Sequence, residues 1–186
     1  LLVSAEKDIR FGDKATLVGA TDGVTVRSSE GSIYMGENLT VSSNSDKTLF
    51  EAGKDIVIDR DATLNSEKNS VVFSAGQDIK FEEDFTVHGK GFELNAQGSL
   101  QVGDKATVQT DFGAYETGSV ASLPQTAIDV KGDVKFGDDA TFRTTMLSMN
   151  AGNDENHTSG NIAFGERASI QTTVLGAVID AEGDIA

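Results

Sequence analysis

The stretch Ala52-Gly53-Lys54-Asp55-Ile56-Val57-Ile58-Asp59-Arg60-Asp61-Ala62-Thr63-Leu64 decides the fold, because its pattern returns 23 residues later. There it reads Ala75-Gly76-Gln77-Asp78-Ile79-Lys80-Phe81-Glu82-Glu83-Asp84-Phe85-Thr86-Val87. Working outward, the equivalents of Ile56 and Ile79 are Ile9, Ile33, Leu100, Val134, Ile162 and Ile185. These eight anchors are spaced 24, 23, 23, 21, 34, 28 and 23 residues apart. Two places after the anchor stands Phe11, Met35, Ile58, Phe81, Val102, Phe136 or Phe164. Eight places on stands Leu17, Val41, Leu64, Val87, Val108, Phe142 or Ile170. Just before that comes Thr16, Thr40, Thr63, Thr86, Thr107, Thr141 or Ser169.

A third apolar position lies six residues before most anchors, at Phe50, Phe73, Leu94, Ile128 and Ile179; Val26 sits one residue further from its anchor. Four before the anchor the reading places Ala5, Ser29, Ala52, Ala75, Ala96, Val130, Thr158 and Ala181. Each unit of about 23 residues therefore holds three short alternating runs, and period two is the signature of strand. No helical stripe is sustained anywhere. One unit alone cannot bury its apolar side, whereas units stacked in register can. The expected fold is all-β: a single parallel β-solenoid over residues 1–186, right-handed, with seven to eight coils of three strands. At ~4.8 Å per coil it forms a rod of roughly 34 Å. An antiparallel sandwich also has many short strands, but it does not reproduce residue columns over eight units. Thin layers of Ile, Val, Leu, Phe and Ala explain why the chain has no Trp.

The turns repeat too. Before each anchor stands Asp8, Ser32, Asp55, Asp78, Ser99, Asp133, Asn161 or Asp184, side chains expected to bond local backbone. Three after the anchor come Gly12, Gly36, Asp59, Glu82, Gly103, Gly137 and Gly165, where a positive φ is expected. The long spacings mark insertions near 109–126 and 150–160. The first, with Phe112, Tyr115 and Glu116, is a candidate binding loop for a surface glycan or receptor, since insertions in repeat folds map to exposed loops.

The strings Ala52 to Ile58 and Ala75 to Phe81, with Val130-Lys131-Gly132-Asp133-Val134-Lys135-Phe136, resemble the repeats of filamentous haemagglutinin-type exoproteins. That resemblance implies a secreted β-helical rod acting in adhesion or as a fibre, at the cell surface or outside it. Convergent fibre or tail-spike solenoids share the same turn and strand chemistry.

A net charge of −15 opposes binding to nucleic acid or to anionic lipid. No apolar run is long enough to insert in a membrane as a helix. The absence of cysteine removes disulfides and thiol chemistry. Four after the anchor lies a mostly acidic column: Asp13, Glu37, Arg60, Glu83, Asp104, Asp138 and Glu166. Its carboxylates are the weak candidates for Ca²⁺; solvated turn residues, neutralised by Lys14, Lys105 and Arg167, are the simpler reading. No other cofactor is indicated. His88 and His157 lack a nucleophile or ligand at fixed spacing and read as surface residues. The Thr column suits a strand face better than an ice-binding array, because the file beside it is irregular. The sequons at Asn38 and Asn156 would matter only in a eukaryotic secretory setting.

The expectation is a non-enzymatic rod segment of an extracellular fibre or adhesin. It is processed or cut from a longer chain, as the initial Leu1 suggests, and meets further coils end to end. A loop-borne binding module is the alternative, and a β-helix carbohydrate-active enzyme a distant third.

Overall fold

The computed structural model describes residues 1–44, 46–110, 125–153 and 158–186. Regular structure among these residues is entirely strand. In chain order the strands are β1 (Leu2–Ala5), β2 (Ile9–Phe11), β3 (Thr16–Gly19), β4 (Val24–Ser28), β5 (Ile33–Met35), β6 (Thr40–Ser43), β7 (Thr48–Ala52), β8 (Ile56–Ile58), β9 (Thr63–Ala75) and β10 (Ile79–Phe81). They continue with β11 (Thr86–Ala96), β12 (Leu100–Val102), β13 (Thr107–Gln109), β14 (Thr126–Val130), β15 (Val134–Phe136), β16 (Thr141–Asn153), β17 (Thr158–Ser159), β18 (Ile162–Ala163) and β19 (Ser169–Ala181).

They form three files of parallel strands. In the first file, Ile9 pairs with Ile33, Ile33 with Ile56, Ile56 with Ile79, Ile79 with Leu100, Leu100 with Val134, and Val134 with Ile162. An isolated parallel bridge joins Ile162 to Ile185. All eight anchors thus lie in one column. The second file stacks Thr16, Thr40, Thr63, Thr86, Thr107, Thr141 and Ser169. The third stacks Val3, Val26, Phe50, Phe73, Leu94, Ile128, Met149 and Ile179. The chain is a parallel β-solenoid.

Where the corner between the second and third files is short, the two strands fuse. β9, β11, β16 and β19 each run through it, with a register shift between Gly89 and Gly91 in β11 and between Thr144 and Met146 in β16. A bulge lets a strand bend without ending the ladder.

Alternation puts one face of every file inside. From Ile33 to Ile162 the anchor column is buried. Phe73, at the centre, stacks on Phe50 with ring centroids 4.9 Å apart and meets Phe81 at 4.9 Å, Phe92 at 6.0 Å and Phe85 at 6.3 Å. Burying each such side chain contributes roughly 1.5–3 kcal/mol.

Three details of the sequence reading are corrected. The column four before the anchor runs through Ser28, not Ser29, and through Ala151, not Thr158. In the second coil an additional residue enters the corner after Ser28. In the sixth, Asn150 and Ala151 still belong to β16, so the insertion starts at Gly152. At its two feet Gly152 pairs antiparallel with Ser159 and Asn153 with Thr158. Finally, none of the glycines three after the anchor has a positive φ. Gly36, Gly103, Gly137 and Gly165 are required for close approach instead, whereas Gly12 has open space: a Cβ on Gly137 would lie 2.7 Å from the Asp104 nitrogen, and one on Gly165 2.4 Å from the Gly137 carbonyl carbon.

The insertion of the fifth coil falls between β13 and β14, as expected. Phe112, Tyr115 and Glu116 lie outside the described residues. Its two feet are clasped below the surface: the fully buried hydroxyls of Thr110 and Thr126 are 3.2 Å apart, and Thr110 donates to Thr144 of the next coil at 2.7 Å.

Candidate functional site

The most organised chemistry of the molecule runs along two corners. At the corner before the first file, each turn residue reaches not to its own turn but to the next coil. The Asp8 Oδ1 accepts from the Ser32 amide at 3.0 Å, and the Ser32 Oγ from Asp55 at 3.2 Å. Asp55 accepts from Asp78 at 3.2 Å, Asp78 from Ser99 at 2.7 Å, and Ser99 from Asp133 at 3.3 Å. Asp133 accepts from Asn161 at 2.8 Å and Asn161 from Asp184 at 2.9 Å. The expected local turn bonds are thereby corrected to an inter-coil ladder. The anchor amide makes a second rung to the same neighbour: Ile9 donates to the Ser32 carbonyl at 2.9 Å, and every anchor down to Ile162 does likewise. From Ser32 to Asp184, both backbone groups of each turn residue are therefore satisfied by the coil before it, which matters because an unpaired backbone group is costly.

The acidic column lies at the next corner. Asp13, Asp104 and Asp138 accept from the amides of Glu37, Asp138 and Glu166 at 3.1, 2.9 and 2.8 Å. The longer Glu37 instead binds Arg60 of the following coil at 2.6 Å. One residue further on, Lys14, Asn38, Asp61, Asp84, Lys105, Asp139 and Arg167 all have φ of 57–59°. This is the left-handed region, in which Asn and Asp are the best tolerated non-glycine residues. The sequence reading missed this column; four Asn or Asp among seven residues was the available signal. Arg167 holds Asp139 through two bonds of 2.6 and 2.7 Å, and Lys105 faces Asp84 at 3.7 Å. The ladder amide of Ser32, aided by Arg10, holds the Asp8 carboxyl below its usual range, and Arg167 does the same for Asp139.

The candidate Ca²⁺ residues are thus placed. Asp13, Asp104 and Asp138 hold backbone amides, Glu37 holds Arg60, and Glu166 lies 3.3 Å from Arg167. Among the described residues no three carboxylate or imidazole groups converge on a common point. His88 lies outward on the second file between Asn65 and Gln109; His157, like Asn156, is outside the described residues. A void of about 10 Å³ among Phe81, Phe85, Phe92 and Phe142 has no polar lining and is barely the size of one water.

Ladder strength is directly testable. Asp78→Ala removes an acceptor and should lower the urea midpoint, whereas Asp78→Asn keeps one, as Asn161 does naturally, and should leave it nearly unchanged. The pH dependence follows from the lowered carboxyls. A group whose folded pKa lies below its unfolded value stabilises fully above the unfolded value, near 3.8 for Asp8 and Asp139. That contribution fades as pH falls through the folded value. Urea midpoints should therefore hold from neutrality to about pH 5 and drop below about pH 4.

The terminal coils differ from the rest. Val3, Phe11 and Ala15 at one end, and Phe164, Ile170, Ile179 and Ala181 at the other, pack on the core while only partly buried. Ile185, though in the anchor column, is 56% exposed. No family model, curated protein or solved structure matches the chain.

Proposed function

We propose that this chain is a non-enzymatic, rod-like segment of an extracellular fibre or adhesin that meets further coils end to end. The observation that carries the reading is the register of the three files: one set of residue columns continues from coil to coil, so that each coil covers the apolar side of the next. Phe50, Phe73 and Ile128 are wholly enclosed in this way. The flanks favour the same arrangement: a net charge of −15 makes side-by-side contact between rods repulsive. The resemblance to filamentous haemagglutinin-type repeats supports secretion and an adhesive or fibrous role.

The test is electron microscopy with analytical ultracentrifugation of the chain over a range of concentrations. Rods growing in steps of roughly 38 Å, eight strand spacings, are expected, and Ile179→Lys, which sets a charge on the outermost strand of the third file, should abolish them. Particles of 19.6 kDa at every concentration would contradict the proposal, and so would carboxylate-dependent glycan turnover in a substrate screen.

A further inference from the structure

A few hydroxyls lie in the interior at the corner between the second and third files, and two sets of three occupy equivalent places there. In the later set, Thr110 follows β13, Thr126 opens β14, and Thr144 lies in β16, one coil beyond Thr110. In the earlier set, Ser43 closes β6, Thr48 opens β7, and Ser66 lies in β9, one coil beyond Ser43. The columns establish the equivalence. Ser42, Asn65, His88, Gln109 and Arg143 share one column, which puts Ser43, Ser66, Thr110 and Thr144 together in the next. Thr48 and Thr126 share another, through Val71 and Phe92. All six side chains are buried.

The later set is closed. A hydroxyl has one proton to give. Thr144 gives its proton to the Met146 carbonyl at 2.9 Å, and Thr110 gives its proton to Thr144 at 2.7 Å. The 3.2 Å contact between Thr110 and Thr126 is therefore donated by Thr126. The hydroxyls form a directed chain that ends on a carbonyl, with every proton placed.

The earlier set is not closed. Ser43 gives its proton to the Asp46 carbonyl. Among the described residues, neither the Thr48 Oγ1 nor the Ser66 Oγ has a hydrogen-bond partner. Gly19 and Gly89 flank Ser43 and Ser66 in their column, so neither adjoining coil supplies a side chain at that position. Serine at 43 and 66 stands where threonine stands at 110 and 144, so the earlier corner has two methyl groups fewer. The room two methyl groups occupy is on the order of the ~30 Å³ that one water takes in the liquid.

We propose that this corner is a binding site for one buried water molecule, held by Ser43, Thr48 and Ser66. The water accepts the protons of Thr48 and Ser66 and donates one of its own to a lone pair of the Ser43 Oγ. Three bonds is the usual number for an internal water. Parallel ladders fix the three strands, so the hydroxyls meet through a bridging molecule rather than by drawing together. Leaving two buried hydroxyls unpaired would cost more than immobilising one water. The occupant is neutral, because the three hydroxyls carry no charge to offset the desolvation of an ion.

A crystal structure fine enough to show ordered solvent tests this, with nuclear magnetic resonance as the reading in solution. The expected results are a fully occupied peak about 2.5–3.0 Å from both the Thr48 Oγ1 and the Ser66 Oγ, and cross-relaxation from a long-lived water to the Thr48 methyl group. The double variant Ser43→Thr, Ser66→Thr rebuilds the later set, and in it both peak and signal should vanish. Direct contact between the Thr48 and Ser66 hydroxyls, a protein group bonded to both, or no peak at all would overturn the proposal. So would a water that persists in the double variant. Should that variant fail to fold, the two measurements on the native chain decide alone.

Discussion

Phe73→Ala is expected to cost about 3–5 kcal/mol of stability, the range for emptying a fully buried aromatic site. Phe73 has no exposed surface and is in contact with four other rings, those of Phe50, Phe81, Phe85 and Phe92. Those rings come from three other strands, β7, β10 and β11, and from the turn before β11, so the cavity opens between coils rather than within one. The neighbouring strands are fixed by parallel ladders on both sides, which limits collapse into the space and favours the upper part of the range. Phe73→Leu keeps most of the volume and should cost less than about 1.5 kcal/mol. Urea unfolding followed by circular dichroism measures both. A loss below about 1 kcal/mol for the alanine variant would mean that the interior is not packed as described.

Gly137→Ala should destabilise by about 1–3 kcal/mol or more, and the reason is not backbone freedom. Gly137 has no positive φ, so alanine suits its conformation and would slightly favour folding by restricting the unfolded chain. What opposes it is the coil before: the new Cβ would meet the Asp104 nitrogen at 2.7 Å and the Gly103 carbonyl carbon at 2.7 Å. That peptide cannot yield without breaking the ladder bond from the Asp138 amide to Asp104. The companion substitution should act in the opposite sense. Asp84 has φ of 57°, so Asp84→Gly relieves up to about 1 kcal/mol of left-handed strain, less the loss of the 3.7 Å pair with Lys105. Thermal denaturation of the two variants side by side distinguishes packing from φ as the reason for glycine. Equal losses would refute the assignment.

That contrast shows what could be read from the sequence and what could not. The columns were legible because burial selects residues by side: Ile56 and Ile79 carry the same apolar demand, and period two follows from it. Column identity even located the slip at Val26. The corners were harder, because turn residues were judged by local propensity while the structure uses them between coils. Asp, Ser and Asn before the anchor suggested turn bonds within a coil. Their true partners lie 21 to 34 residues away, a separation that local rules do not address.

The glycines were misread for the same reason, although the signal was present. Gly36, Gly137 and Gly165 each follow a coil whose next column holds Asp13, Asp104 or Asp138. At Gly36 and Gly137 a short aspartate folded onto the amide below fills the space a Cβ would need; at Gly165 the Gly137–Asp138 backbone does so. Where that column holds Glu37 or Arg60, the next coil has Asp59 or Glu82 instead of glycine. Gly103 departs from the pattern in following Glu83, and the crowding there comes from backbone, the Glu83 nitrogen at 2.6 Å and the Glu82 carbonyl carbon at 2.7 Å from its would-be Cβ. The pairing of aspartate with glycine one coil later is a sequence pattern with a steric cause. Thr110 and Thr126 were invisible for another reason: they are polar residues at inward positions, satisfied by each other and by Thr144. Binary patterning alone assigns such residues to the surface.

The register of the first file is the claim on which all the rest stands, and distances along its outer face test it most directly. Arg10, Gln101, Lys135 and Ala163 are outward or half-exposed members of one column, reached through successive pairings. With no native cysteine to remove, spin labels can be placed at residue 10 paired with 101, 135 or 163. Pulsed electron resonance should give distances near ~19, ~24 and ~29 Å, rising by one strand spacing per coil. Distances that do not rise in that order, or that differ by much more than ~5 Å between successive coils, would contradict the stacked column and with it the solenoid.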